Sequence, residues 1–276
     1  MSAAAFVLDR VGLVSIGLLR QLGEISLFAR ETFAETWIFV KELRGIGRVS
    51  TRRRLSATFE ACIEQMLEFG IRSVPVASIT SAATGMVFAL ETGKVMIRKL
   101  GSPLFIGGIV SLGIVREIGP VFSALMVAAR MGSSITAELG TMKVTEQVDA
   151  IRCLGENPIR TLVVPRFVAA VLMMPLLAVI ADFVGIMGAF AVSTVQLGLS
   201  PSAFWSEFQL RVAVYDITHG LAKTLVFGAI VSIVACWKGF TSEGGAEGVG
   251  NACTESVVLS CMGILIADFL LTMVLF

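Results

Sequence analysis

Residues 113–122 read GIVREIGPVF, and in the longer run GIVSLGIVREIGPVF (108–122) Arg116 and Glu117 are the only charged residues. Where a segment this apolar resides decides the fold, because a spanning helix needs about 20 predominantly apolar residues. Neighbours on a helix point about 100° apart, so Arg116 and Glu117 do not neutralise each other side by side. Pro120 removes the hydrogen bond owed to the carbonyl of residue 116, and Gly119 weakens the helix further. The run therefore reads as a spanning helix locally opened at the depth of its two charges. Hydrocarbon tolerates such a place only where it lines a cavity or faces protein.

The whole chain has the same balance. Of 276 residues, 55% are hydrophobic and 16% charged, with a mean hydropathy of +0.85. Soluble domains are closer to a quarter charged; so few charges cannot cover a water-facing surface, which argues against a soluble enzyme. A net charge of +1 points to no nucleic-acid partner. Cys62, Cys153, Cys236, Cys253 and Cys261 lack C-x-x-C spacing and read as small apolar residues. His219, the one histidine, has no partner at ligand spacing, so a structural or interfacial role is expected and no metal site. Asp9 and Arg10 interrupt the first apolar stretch, so no cleavable signal is expected.

From Phe6 to about Phe69 short apolar clusters alternate with charges, as in RQLGEISLFARETFAETWIFVKELRGIG (20–47). Arg10, Arg20, Arg30, Lys41 and Arg44, with Phe28, Phe33, Trp37 and Phe39 between them, fit helices lying in the headgroup region. A solvated amphipathic helix packed on a partner is the competing reading. Five stretches then reach spanning character: roughly 71–91, 103–130, 166–197, 217–237 and 256–276. The first carries Ser73, Ser78, Thr80, Ser81 and Thr84, which suits a helix facing other helices or a cavity. The third is about 48 Å long at 1.5 Å per residue, so it tilts, bends or protrudes, with Pro175 as a place to bend. The expected fold is an all-α integral membrane protein: N-terminal interfacial amphipathic helices over residues 1–70, then a five-helix membrane domain over 71–276.

With an odd number of spans, fifteen of the lysines and arginines flank the N-terminal side and four the other. The positive-inside rule then places the N-terminus in the cytoplasm and Phe276 on the far side. PSAFWSEFQLRVAVYD (201–216) becomes an extracytoplasmic surface helix anchored by Phe204, Trp205 and Phe208.

Between the second and third spans lies TMKVTEQVDAIRCLGENPIRTLVVPR (141–166). Val144, Val148, Ile151 and Leu154 share one helical face, while Glu146, Gln147, Asp149 and Arg152 lie elsewhere around the turn. Thr145 is placed to cap the start, and Gly155 followed by Pro158 to stop the helix. This is a short cytoplasmic amphipathic helix, fitted either to take a push from another protein or merely to pack on its own bundle. The chain has no phosphate-binding loop: HGLAKTLVFG (219–228) offers Lys223 and Thr224 but Ala222 where the second glycine belongs. If ATP supplies the energy, a separate subunit binds it.

Lys223 places a third charge in the apolar spans, and Asp182 and Asp268 complete the set. Either these groups pair between helices to fix packing, or Arg116, Glu117 and Lys223 present charge to a substrate both polar and apolar. Ala128, Gly132, Thr136 and Gly140 recur every four residues in AARMGSSITAELG (128–140), which lets two helices approach closely, within the chain or between copies.

The ordered block R-E-[IL]-G-P, then A-x-R-x-G-[SA]-x-[IL]-[TA]-A-E-[IL]-G and E-Q-[IVL]-D-A, resembles the MlaE (YrbE) permeases of ABC transporters that work with MCE-domain proteins. The resemblance is dense over 112–166. It continues more loosely through RFVAAVLMMPLLAVIADFVG, AKTLVFGAIVS and GILIADFLLT, and covers about three quarters of the chain; the first 45 residues carry little of it. It implies a homodimer, two cytoplasmic ATPase subunits, and a lipid-sized cavity between permease copies beneath a ring of MCE domains. It also implies movement of phospholipids, or in some branches sterols, between the inner membrane and outer envelope layers. In that frame residues 145–154, with Thr145, Glu146, Gln147, Asp149 and Arg152, look like the ATPase-coupling helix. Arg116 and Glu117 match the intramembrane charged pair, and Lys223 a lysine near the lipid headgroup.

The function expected is thus a non-catalytic inner-membrane permease subunit for lipids, with ATP bound only by its partner and no cofactor in this chain. An ion-coupled secondary transporter, cycling a proton on Glu117 or Asp268, lacks the internal inverted repeat. A lipid-modifying membrane enzyme lacks paired carboxylates, a nucleophile with its base, or a metal cluster.

Overall fold

A computed structural model describes the backbone of residues 3–44, 49–100 and 105–275, and side chains over 19–42, 58–99 and 105–275. The side chains of Arg10 and Arg44 lie outside these ranges. The described residues are helical and contain no strand. Five segments are long and apolar enough to cross a membrane: Thr58–Lys99, Ile106–Val144, Ile159–Val195, Val214–Phe240 and Gly245–Leu275. Their number and order are those the sequence predicts, and each extends beyond its predicted bounds at one or both ends.

Helix α1 (Ala3–Arg44) precedes α2 (Val49–Leu100), and α2 continues unbroken through residue 70, where the sequence suggests a domain boundary. The second span is built from α3 (Ile106–Gly113), a π turn (Ile114–Ile118), α4 (Gly119–Val127), a second π turn (Ala128–Gly132) and α5 (Ser133–Val144). The short α6 (Gln147–Cys153) follows. A third π turn (Ile159–Val163) leads into α7 (Val164–Val195), which stays helical across Pro175. Then come α8 (Pro201–Arg211), α9 (Val214–Phe240) and α10 (Gly245–Leu275).

The most extensive helix contact is α2 against α7. Ser73, Ala77, Ser81, Gly85 and Ala89 form a buried stripe of small residues down α2. A Cβ on Gly85 would overlap the Gly185 carbonyl, so the two backbones touch there, and the Ser81 hydroxyl donates to the Ala181 carbonyl. The serine-rich first span thus turns its small face to protein, with Ser78, Thr80 and Thr84 only half-buried.

The stripe Ala128, Gly132, Thr136 and Gly140 packs within the chain. The Thr136 hydroxyl lies 3.1 Å from the Ala235 carbonyl of α9, and a Cβ at Gly140 would meet Ser242 Oγ at 2.9 Å.

At one end of the bundle α1 lies against α9, α7 and the third π turn. Phe28 meets Phe240 with ring centroids 6.0 Å apart and Phe33 meets Phe167 edge-on at 5.2 Å. Asn157 Nδ2 donates to Glu35 Oε1 at 3.0 Å, and Arg160 pairs with Glu42. Leu19, Leu22, Leu27, Trp37 and Ile38 on α1 remain exposed.

At the other end α8 packs on α3. Its start is capped by Ser200, whose hydroxyl accepts from the Ala203 N–H at 3.3 Å. Phe204 is fully buried, touching Phe190 edge-on at 5.3 Å. This corrects its expected role as a membrane anchor: close approach of α3 at Gly107 leaves the ring no outward course. Trp205 is partly exposed and Phe208 half-buried.

Candidate functional site: a charged cluster inside the bundle

The first π turn places Arg116 and Glu117. Pro120 has no N–H for the Arg116 carbonyl, and the Gly119 N–H reaches back five residues to the Ile114 carbonyl. The Arg116 carbonyl is instead met from α9, where Lys223 Nζ lies 3.3 Å away. Helix α9 comes this close because of Gly220, at which a Cβ would overlap the Val115 carbonyl. Asp216 and Lys223 flank that glycine and so meet the opened turn.

Arg116 and Glu117 take separate partners, as their angular offset requires. Arg116 Nε donates to Asp216 Oδ1 at 2.8 Å, with Nη2 2.5 Å from the same oxygen. The other Asp216 oxygen accepts the Ala213 N–H at 2.9 Å, so one carboxylate both caps α9 and holds the guanidinium. Lys223 Nζ donates to Glu117 Oε2 at 2.8 Å, Asp268 Oδ1 at 3.1 Å and Thr272 Oγ1 at 2.7 Å. The Thr272 hydroxyl lies 2.8 Å from the Asp268 carbonyl and 3.2 Å from Glu117 Oε1. The second span, α9 and α10 are thereby tied at one level. Counting from the helix ends shared by α3, α9 and α10, that level lies on the order of 10–15 Å into the bundle at 1.5 Å per residue.

Burial separates the members. The Lys223 side chain is 0% exposed and that of Asp216 4%, whereas Arg116 and Glu117 keep 35% and 37%. Asp268 is intermediate at 19%. Asp182, the remaining intramembrane acid, stands apart on α7, its Oδ1 buried without a hydrogen-bond partner against Gly119. Asp216 and Thr272 escape the sequence reading. Asp216 falls at the end of the stretch taken as a surface helix; Thr272 sits one turn beyond Asp268, an i,i+4 spacing that could have revealed it.

A second group of polar residues lies at the α1 end. Helix α6 spans Gln147–Cys153, shorter than the sequence suggests, because Glu146 adopts a left-handed conformation (φ 61°) and breaks the chain from α5. Thr145 does not cap α6: its hydroxyl bonds back to the Thr141 carbonyl at 2.8 Å, finishing α5. Asp149 clasps Lys143 at 2.9 Å and Arg152 at 3.2 Å. The Lys143 hydrogen bond, chiefly, holds the Asp149 carboxyl below its ordinary range. Thr145, Glu146, Gln147 and Arg152 are exposed. On the expected apolar face only Val148 is fully buried, and Leu154 is 81% exposed. Gly155, at φ 78°, ends the segment as expected, and the Asn157 side chain accepts the Ile159 N–H at 3.0 Å to start the next helix.

His219 stacks on Tyr215 with ring centroids 3.6 Å apart. Among the described residues no group of histidines, cysteines and acids is arranged to hold a metal. Cys62 and Cys236 are buried as small apolar residues, but Cys153 is exposed on α6.

Known proteins share this sequence at length. Residues 62–274 match the family model described as permease MlaE. The chain is 40% identical over 230 residues to a "Probable ABC transporter permease protein" of Synechocystis, covering 83% of this chain and 84% of that one. It is 36% identical over 270 residues to a Rickettsia bellii protein with the same description, covering 98% of each. To the "Intermembrane phospholipid transport system permease protein MlaE" of Haemophilus influenzae it is 34% identical over 232 residues, 84% of this chain and 87% of that one.

Proposed function

Because this chain belongs to the MlaE family of ABC-transporter permeases, we propose that it carries a phospholipid or related lipid between envelope membranes, driven by a separate cytoplasmic ATPase. The observation that carries this reading is the uneven burial of the charged cluster. Two ionised side chains, Arg116 and Glu117, stay over one-third exposed within an apolar span while buried partners hold them in place. Intramembrane charge with an open side fits a polar headgroup, and the surrounding apolar helix faces fit acyl chains. Lys223 acts here from behind, orienting Glu117 and filling the carbonyl that Pro120 leaves open.

In this reading the protein sits in the inner membrane with the N-terminus and α6 in the cytoplasm and the C-terminus in the periplasm. Residues 1–70 lie mainly along the cytoplasmic interface and 71–276 form the permease domain. Two copies enclose the lipid, and an MCE-domain protein receives or delivers it. The ATPase docks on Thr145, Glu146, Gln147, Asp149 and Arg152; its closure presses α6 and, through α5, the helix bearing Arg116 and Glu117. ATP is the partner's ligand.

The test is ATP-dependent transfer of a fluorescent phospholipid from vesicles holding the chain together with its ATPase and MCE partner. Arg116→Ala should lower transfer at least tenfold, the size of one lost charge-assisted hydrogen bond, while the complex still assembles. Loss of assembly instead would assign Arg116 to packing and contradict the proposal.

A further inference from the structure

We propose that Arg130 and Ser134 form a second station for a lipid phosphate, at the headgroup level of the leaflet nearer α6; this deepens the lipid-carrying role proposed above and rests on it. Arg130 lies in the second π turn and is half-buried, yet it makes no hydrogen bond or ion pair among the described residues. Glu138 and Glu255, the acids on the adjoining stretches of α5 and α10, are engaged elsewhere, with Arg166 at 2.7 Å and with Lys238. A guanidinium on an apolar span calls for a counter-charge, and the described residues supply none. Ser134, one turn on, is exposed, and its hydroxyl is likewise unengaged among the described residues. Its neighbour Ser133 differs, because that hydroxyl is spent on the Ala129 and Arg130 carbonyls at 2.9 and 3.2 Å. An arginine and a free hydroxyl one turn apart suit a phosphate, whose oxygens accept from both.

Depth points to a lipid as the source of that phosphate. Arg130 follows Arg116 on the same span at a distance on the order of 20 Å along the axis. Measured from the helix ends shared by α3, α9 and α10, it therefore lies about 30–35 Å away, near the far edge of a hydrocarbon core about 30 Å thick. Helix α10 packs on this turn, with Cys253 Sγ 3.5 Å from the Ser133 carbonyl. From there Val258 and Met262 on α10, and Phe122 on the second span, continue toward the bilayer interior as exposed apolar residues. A lipid whose phosphate meets Arg130 thus finds apolar surface for its chains on the interior side. Arg116 with Glu117 and Arg130 with Ser134 then give a carried headgroup a resting place toward each leaflet.

The experiment places the purified full-length chain in phosphatidylcholine vesicles containing a phosphatidylethanolamine whose amine carries a photoactivatable diazirine, and maps cross-linked peptides by mass spectrometry. Labelling is expected in residues 126–138 and, separately, in 113–122. Arg130→Gln should lower the first at least fivefold, the size of one charge-assisted contact at a partly exposed site, and leave the second unchanged; Arg130→Lys should restore part of it. Should Arg130→Gln fail to fold, Ser134→Ala, at an exposed position, should still lower labelling about twofold. Labelling of 126–138 that neither variant lowers, or that is absent from the parent while 113–122 is labelled, overturns the station but not the lipid carrier. No labelling in either stretch overturns the functional reading with it. Copies that come apart in Arg130→Gln would assign the cation to an acid of the second copy, against the proposal. Excess glycerol 3-phosphate on both sides of the vesicles should leave labelling intact, and competition would overturn a lipid ligand in favour of a free phosphate.

Discussion

Gly119 is where the backbone and side-chain demands of the cluster meet. It closes the π turn that frees the Arg116 carbonyl, and a Cβ there would overlap Asp182 Oδ1. Gly119→Ala should therefore lower stability in detergent by about 1–3 kcal/mol, the usual cost of overpacking. Asp182→Ala, which removes a buried carboxyl oxygen lacking a partner, should restore most of it; a double variant as unstable as the single one would refute the clash. Lys223→Ala and Arg116→Ala should differ little in cost, each about 3–5 kcal/mol, the first because it removes the buried cation that holds Glu117 and Asp268, the second because it strands the buried Asp216. Thermal unfolding of the two variants side by side measures the difference. The local part of this site is legible in the chain order: Pro120 alone says which carbonyl is orphaned. That Lys223 fills it is not legible, because the two residues are 107 positions apart and only the close approach at Gly220 brings α9 there.

At the scale of elements, the break between α5 and α6 is the feature periodicity could not show. An apolar pattern running from Val144 to Leu154 reads as one continuous face, yet Glu146 takes a left-handed conformation that side chains avoid, and the pattern is split. Glu146→Gly should leave stability within about 1 kcal/mol of the parent, on the favourable side. If the Glu146 side chain also meets the ATPase, the same change should lower lipid-stimulated ATP hydrolysis, so the two measurements separate backbone from contact. The Asp149 clasp has a defined pH sense. Its carboxyl is lowered chiefly by the Lys143 hydrogen bond, so the clasp is complete at neutral pH and fails only as pH falls below the ordinary carboxylate range and through the lowered value. Amide exchange of α6 followed from pH 7 to pH 3 should stay slow until that range is passed, and Asp149→Asn should speed it throughout. The small-residue stripe from Ser73 to Ala89 was as readable as that from Ala128 to Gly140. Its serines and threonines already suit a helix turned toward other helices, and the four-residue spacing of Ser73, Ala77, Ser81, Gly85 and Ala89 picks out the face that packs.

For the molecule as a whole, the five spans follow from hydropathy alone, since hydrocarbon demands length and apolarity and little else. Which end faces the cytoplasm rests on the distribution of lysine and arginine, and Cys153 offers a direct check because it is exposed at the α6 end. A membrane-impermeant maleimide should label Cys153 in inverted vesicles and not in intact spheroplasts; labelling from outside would reverse the orientation. In the proposed function, the apolar faces left open along α2 and α10 are where lipid or a second copy would meet the chain. The most direct test of the account is a density map of the complex purified with its native lipids. It should show two copies enclosing a lipid whose polar end lies against Arg116 and Glu117, whereas a solitary chain with those side chains sealed and no lipid between copies would contradict it.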